Sequence, residues 1–148
     1  MTRIRLKSGR FIWVLGIVAV FVLIFGVDWL IAQSRLGGIA IDIVADPTEV
    51  VANGRDRSTV TIRITENGQP RADDLVQLWL SKGGGLLTPN WVYTDENGGI
   101  TVTYTPNPYS RYDPQDGAQI VVLDTSIGRL IEVGKQSAVT IGLVKPEE

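Results

Sequence analysis

A run of 22 residues, 11–32, constrains this chain more than any other feature, because it decides on which side of a membrane the other residues can lie. Its first seventeen residues carry no charge. As an α-helix the run measures about 33 Å, enough to cross a hydrocarbon core of roughly 30 Å. Trp13 and Trp29 lie near its ends, where indole rings favour the membrane interface, and Asp28 lies about one turn from the outer end. The run is therefore predicted to be a transmembrane helix.

The residues before this run predict its orientation. They include Arg3, Arg5, Lys7 and Arg10 and no acidic residue. Positive charge beside a span favours the cytoplasmic side, so the N-terminus is predicted to stay in the cytoplasm while the C-terminal residues lie outside. A single-pass protein of the cytoplasmic membrane is expected, with the lipid bilayer as one partner.

Two alternatives for the N-terminal segment remain open. A cleaved signal peptide also has a basic start and an apolar run, and Ala32 and Ser34 offer small residues at the spacing a peptidase requires. The apolar run is longer than a usual signal sequence, which favours a retained anchor. A pilin-like leader cut after Gly9 is the second alternative, but Val14 stands where type IV pilins have a glutamate.

The composition of the outer part excludes several classes of function. About 110 residues remain, enough for one domain. From Gln33 onward there are 10 basic and 15 acidic residues, a net charge of −5, so no basic surface for nucleic acid is expected. The chain has no Cys and no His. Disulfides, thiol nucleophiles, imidazole bases and Cys/His zinc sites are therefore impossible, and neither an enzyme nor a cofactor is predicted.

Apolar residues alternate with polar ones in several short segments of the outer chain, a pattern typical of half-buried strands. The inward sets are Ile39, Ile41 and Ile43; Val60, Ile62 and Ile64; Val76, Leu78 and Leu80; and Ile100, Val102 and Tyr104. Leu86 and Leu87 are also expected to point inward, and a weaker hairpin is expected between Ile127 and Lys135. Seven to nine strands without a helical period predict an all-β, two-sheet antiparallel sandwich.

A series of turn motifs links these strands in a characteristic order. They are Asp46-Pro47, Val51-Ala52-Asn53-Gly54, Asn67-Gly68-Gln69-Pro70 and Thr94-Asp95-Glu96-Asn97-Gly98 before an alternating strand. This order, over about residues 39–144, resembles the bacterial immunoglobulin-like domains of the invasin/intimin type, often called Big-1. The resemblance implies an immunoglobulin-like β-sandwich and a role in adhesion. Those adhesins carry arrays of such domains on an outer-membrane barrel, whereas here one copy follows one helix.

The chain is thus divided into five segments. They are a basic cytoplasmic tail (1–10), a transmembrane signal anchor (11–32), a linker (33–38), the immunoglobulin-like β-sandwich (39–144) and a C-terminal tail (145–148).

One loop is the candidate contact site. Residues 106–117 include three prolines and no periodic pattern, and Tyr109, Arg111 and Tyr112 are of the types enriched at protein interfaces. The alternative is that the two tyrosines pack down and hold the loop. Acidic residues in turns, namely Asp95, Glu96, Asp113 and Asp116, lack the spacing of a calcium loop, so no metal site is predicted.

The sequence predicts a noncatalytic, membrane-anchored surface protein that acts through contact with a protein partner. An accessory single-pass subunit of a larger membrane complex is the alternative, and a pilin-like filament subunit comes third.

Overall fold

One long helix precedes a two-sheet β-sandwich in the computed structural model, which describes residues 8–128, 130 and 133–147. The helix, α1, is Ser8–Leu36. The strands are β1 (Ile39–Asp46), β2 (Glu49–Val51), β3 (Ser58–Glu66), β4 (Gln69–Pro70), β5 (Leu75–Lys82), β6 (Gly85–Thr88), β7 (Trp91–Tyr93), β8 (Gly99–Pro106), β9 (Gly117–Asp124) and β10 (Lys135–Val144).

The strands form two five-stranded sheets. Sheet A has the order β1-β3-β8-β6, with β4 paired to β3, and sheet B has the order β2-β10-β9-β5-β7. Every pair of neighbours is antiparallel except β2 and β10. Pro47 ends β1, and the chain continues in the same direction into sheet B, so β2 lies parallel to β10. The all-β sandwich is confirmed, with this one parallel pair that the sequence pattern did not predict.

The predicted alternation is confirmed in the core. The inward residues of β3, namely Val60, Ile62 and Ile64, are fully buried, whereas Thr59, Thr61 and Arg63 between them are exposed. These residues form one core with inward residues of β8 in sheet A and of β5 and β9 in sheet B. At roughly 1.5–3 kcal/mol for each buried aliphatic side chain, this core can offset the chain entropy without cross-links.

Two predicted turns have the required backbone geometry. Asn67 and Gly68 both have positive φ, 52° and 80°, as a tight two-residue hairpin needs. Gly98 closes the turn before β8 with φ 70°. A Cβ at Gly98 would lie 2.4 Å from the carbonyl oxygen of Ile64, so no larger residue fits between this turn and β3.

Two expectations about local structure are wrong. Leu86 is 65% exposed, because β6 pairs with β8 as a regular strand and neighbouring residues point to opposite faces; only Leu87 packs on the core. Between β9 and β10 the described residues form no strand, so the expected hairpin is a loop. Ile127 and Val133 in that loop are buried in the core, which explains why their apolar pattern resembled that of a strand.

The helix does not end where the apolar run ends. It continues through residues 33–36, which were expected to belong to a linker, and stops at Gly37 and Gly38. Ala32 is buried and Leu36 packs against the core of the sandwich. This last part of α1 is helical because its apolar side chains are covered by the sandwich, which a local sequence pattern does not reveal.

The first prediction tests the register of β3. Ile62→Asp places an unpaired charge in the core and should cost several kcal/mol in the free energy of unfolding, which removes cooperative folding. Thr61→Asp is the matched control, since Thr61 is exposed and its cross-strand partners, Val44 and Thr101, carry no charge. Urea unfolding of the detergent-solubilised chain, followed by far-ultraviolet circular dichroism, measures both. Equal losses would mean that the inward face is assigned wrongly.

Candidate functional site

The strand register places the connecting loops at two ends of the sandwich. Ile39, next to the helix, pairs with Glu66, while Asp46 pairs with Thr59 at the other end of β1. We call these the proximal end, beside α1, and the distal end. Eight-residue strands separate the two ends by about 26 Å. The proximal end includes residues 66–74 and the described residues between β9 and β10, which are 125–128, 130, 133 and 134.

The predicted contact loop lies at the distal end. It connects Pro106, at the end of β8, to Gly117, which pairs with Gly142 near the far end of β10. The structure therefore brings Tyr109, Arg111 and Tyr112 to the part of the sandwich farthest from the helix.

Backbone hydrogen bonds hold both ends of this loop. The Asn107 N–H donates to Gly84 O at 3.4 Å, and the Tyr109 N–H donates to Ala52 O at 2.7 Å. On the other side, Asp116 O accepts the Leu143 N–H at 3.0 Å. The loop is thus tied at three points, to the residue before β6, the residue after β2 and a residue of β10, and it can present its middle residues without large rearrangement.

The three predicted residues have different surroundings. Tyr109 is half-buried, and the Nζ atom of Lys145 lies 5.6 Å from the centre of its ring, within the range of a cation–π contact. Tyr112 is fully exposed and Arg111 is exposed. Tyr109 thus packs partly against the sandwich, while the side chains of Arg111 and Tyr112 are exposed.

The acidic residues considered for calcium have local roles. Asp95 Oδ1 accepts the backbone N–H groups of Asn97 and Gly99 at 2.8 and 2.7 Å, which fixes the turn before β8. Asp116 forms an exposed salt bridge with Lys82 at 3.2 Å. Within the described residues, no three His, Cys, Asp or Glu side chains lie together in a way that could hold a metal ion.

The outer face of sheet B is a second exposed surface. Trp91 pairs with Gln77 and Tyr93 pairs with Leu75, so their side chains point to the same outer face as Trp79. Trp91 and Tyr93 are 50% and 63% exposed. The inward positions of Val76 and Leu78 in β5 place Trp79, between Leu78 and Leu80, on this outer face.

The last turn of α1 is fixed to the proximal end by a bidentate salt bridge. Arg35 Nε and Nη2 each donate to a carboxylate oxygen of Glu66 at 2.6 Å, and Nη1 donates to Ile127 O at 3.1 Å. Lys135 Nζ donates to the carbonyl oxygens of Leu36 and Ile39, which satisfies acceptors at the end of the helix. The hydrogen bond from Arg35 holds the pKa of Glu66 below its ordinary value.

A buried group of charges continues from this salt bridge into the sandwich. Arg71 bonds Asp74 through Nε and, at 2.8 Å, through Nη2, and its Nη1 lies 3.4 Å from Glu66. Asp124 is fully buried, and its Oδ1 accepts the Ser126 N–H at 2.8 Å. Its Oδ2 accepts no hydrogen bond from the residues that the structure describes and lies 4.0 Å from Arg71 Nη2. Burial raises the pKa of Asp124 above its ordinary value.

The sequence pattern did not identify this group of charged residues at the proximal end. Arg35 and Glu66 are 31 residues apart, and Asp124 looked like the end of an ordinary strand. The one available signal was Asp124 itself, because it occupies an inward position in the alternation of β9, where a charge is unusual.

Comparisons with known proteins agree with this fold. The family model of the bacterial Ig-like domain (group 1) matches residues 40–113, half of the chain. Comparison with curated protein sequences gives no match.

Three solved intimin structures are similar. A C-terminal 282-residue fragment of intimin, in complex with the intimin-binding domain of the translocated intimin receptor (Tir), is 23% identical over 70% of this chain, with a TM-score of 0.54. The D0-D1 domain of intimin is 23% identical over 70%, with a TM-score of 0.50, and the D00-D0 domain is 25% identical over 68%, with a TM-score of 0.48. This chain spans between 33% and 49% of the length of these fragments. The first two support the fold.

The second prediction uses the opposite pKa shifts of two carboxylates. The raised pKa of Asp124 means that the folded state binds its proton more tightly than the unfolded state, so Asp124 favours folding increasingly as the pH falls from neutral through that raised value. Glu66 has a lowered pKa, so it contributes stability above its ordinary value of 4.5 that is lost as the pH falls through its folded value.

Two isosteric variants separate these effects. Relative to Asp124→Asn, the wild type should gain stability as the pH falls from about 7 to about 4. Relative to Glu66→Gln, it should lose stability on acidification below about pH 4.5. Urea midpoints of detergent-solubilised protein across this pH range measure both differences. Differences of the same sign in both variants would contradict the assigned environments.

Proposed function

Since this chain belongs to the bacterial Ig-like domain (group 1) family, we propose that it is a noncatalytic membrane-anchored protein that presents one invasin/intimin-like domain outside the cytoplasm for contact with another protein. The proposal has three parts: the anchor, the orientation of the domain, and the contact surface.

The anchor is supported by the helix itself. An 18-residue window within Ile12–Leu36 has a mean hydropathy of 2.7, and α1 is the one helix among the described residues that is long and apolar enough to cross a membrane. Its apolar side chains from Ile12 to Ile31 are largely exposed, which suits lipid better than water. The basic residues before it favour a cytoplasmic N-terminus.

The observation that carries the proposal is the position of the two ends. The helix is fixed to the proximal end through Arg35 and Glu66, and the loop with Arg111 and Tyr112 lies at the distal end. With the helix in the membrane, this loop is held about 26 Å or more from the helix end of the sandwich. A surface at that distance is accessible to a large partner.

We assign the partner contact to Tyr109, Arg111 and Tyr112. Tyr and Arg supply much of the binding energy at protein interfaces, and the held ends of the loop reduce the entropy lost on binding. The intimin fragment was solved with the intimin-binding domain of Tir, a protein. By analogy with that complex, the partner proposed here is also a protein.

A second candidate function is that of an accessory subunit in a larger membrane complex. It is favoured by the continuity of α1 with the sandwich, because a display module needs only a flexible tether, whereas a subunit of an assembly needs a fixed orientation. Replacing the residues from Ile12 to Val27 by another apolar sequence distinguishes the two. Display tolerates the exchange, and assembly with other helices does not.

The third prediction concerns topology. The chain has no cysteine, so single cysteines report accessibility without background. Tyr112→Cys should react with a membrane-impermeant maleimide in intact spheroplasts, and Thr2→Cys should react only after lysis. If Thr2→Cys reacts in intact spheroplasts and Tyr112→Cys does not, the protein has the opposite orientation and the prediction is wrong.

The fourth prediction places the contact. Arg111→Ala combined with Tyr112→Ala should leave the urea midpoint nearly unchanged, because both side chains are exposed. The double variant should weaken retention of the partner that copurifies in mild detergent at least about tenfold, equivalent to about 1.4 kcal/mol. Adding Tyr109→Ala should also lower stability, since Tyr109 is half-buried.

Tyr93→Ala is the matched control, an exposed tyrosine on the outer face of sheet B. It should retain the partner. If Tyr93→Ala lowers retention and the double variant does not, the contact lies on that face and the assignment to the distal loop is wrong.

A further inference from the structure

The loop between β9 and β10 contacts α1 at Asp28, eight residues before the C-terminal end of the helix. The Leu130 N–H donates to Asp28 Oδ2 at 2.9 Å, while Ile127, three residues earlier, accepts from Arg35 Nη1 at 3.1 Å. Asp28 and Arg35 are seven residues apart, which is about 10 Å along a helix. The loop therefore contacts the helix at two levels along its axis. The lower level, at Asp28, lies about two turns before the C-terminal end of the helix.

The lower level coincides with the expected edge of the hydrocarbon core. Measured from Phe11 at 1.5 Å per residue, a core of about 30 Å ends near residue 31. Asp28 lies just inside this edge, and Arg35 lies in the headgroup layer above it. Because the backbone N–H of Leu130 donates to the side chain of Asp28, Leu130 must lie at nearly the same depth in the membrane as Asp28. The two depths can differ by no more than the length of the Asp28 side chain.

The side chains at this level suit a membrane interface. Leu130 is 58% exposed although it is apolar, and Trp29, next to Asp28, is 47% exposed. Indole rings favour the interface, and the exposed part of an apolar side chain is stabilised by contact with acyl chains. The backbone N–H of Leu130 in turn satisfies a carboxylate oxygen where water is scarce.

From this geometry we propose that the loop between β9 and β10 touches the membrane at Leu130, whose side chain enters the boundary between phospholipid headgroups and acyl chains and seats the sandwich on the bilayer beside its own helix. The proposal rests on the membrane anchor proposed above. Its consequence is a sandwich with two attachments to the membrane, α1 and this loop, so that the distal end points away from the bilayer in a defined direction.

Single cysteines test the depth of the loop. Leu130→Cys, Val22→Cys and Tyr112→Cys, each in the full chain and labelled with a nitrobenzoxadiazole fluorophore, are reconstituted into phosphatidylcholine vesicles that contain nitroxide lipids. The Val22→Cys probe, in the middle of the helix, should be quenched best by nitroxides deep in the acyl chain. The Leu130→Cys probe should be quenched best by nitroxides near the headgroup, and the Tyr112→Cys probe by neither.

A matched pair at Asp28 tests whether the hydrogen bond holds the loop there. In the Leu130→Cys background, Asp28→Asn keeps an Oδ1 acceptor and should retain the quenching. Asp28→Ala removes the acceptor and should lower the quenching toward that of Tyr112→Cys.

The outcomes separate this inference from the anchor on which it depends. If Val22→Cys is quenched but Leu130→Cys behaves like Tyr112→Cys, the loop lies in water and the seating is wrong, while the anchor stands. If Val22→Cys is not quenched either, the helix is not in the membrane, and both proposals fail together.

Discussion

The bidentate contact between Arg35 and Glu66 is the interaction on which the arrangement of this protein depends. It joins the last turn of the long apolar helix to the sandwich, at the point where the chain passes from one to the other. Charge-assisted pairs with two parallel hydrogen bonds fix orientation as well as distance. Because Lys135 also caps the end of the helix and Leu36 packs on the core, the helix and the sandwich meet without a free linker.

The buried charges behind this contact explain how a proximal end without disulfides can stay ordered. Arg71 is placed among three carboxylates, of which Glu66 is also paired with Arg35. Removing Arg71 would leave the buried Asp74 and Asp124 without a salt-bridge partner among the described residues, and breaking a buried ion pair in this way is generally destabilising. The unfavourable member is Asp124, whose burial raises its pKa. The group therefore combines favourable ion pairs with one unfavourable buried carboxylate, and Glu66, which pairs with both Arg35 and Arg71, links it to the end of the helix.

The two ends of the sandwich consequently serve different purposes. Ion pairs and the packed end of α1 hold the proximal end, whereas backbone hydrogen bonds from Asn107, Tyr109 and Leu143 hold the distal loop and leave Arg111 and Tyr112 exposed. The eight-residue strands between the two ends keep them at a fixed separation, because antiparallel sheets packed face to face are stiff. In this arrangement the end of the sandwich that meets α1 and the end that carries Arg111 and Tyr112 are held at a fixed distance from each other.

The sequence by itself determined the apolar span, the inward faces of the strands and the turns at Asn67 and Gly98, since each depends on residues that are neighbours in the chain. The tertiary structure alone decided what these elements meet. It extended the helix to Leu36, made β2 parallel to β10 and joined Arg35 to Glu66. The physical reason is that the spacing of apolar residues along the chain indicates which side chains are buried. Which other residues pack against them depends on segments that are far apart in the sequence.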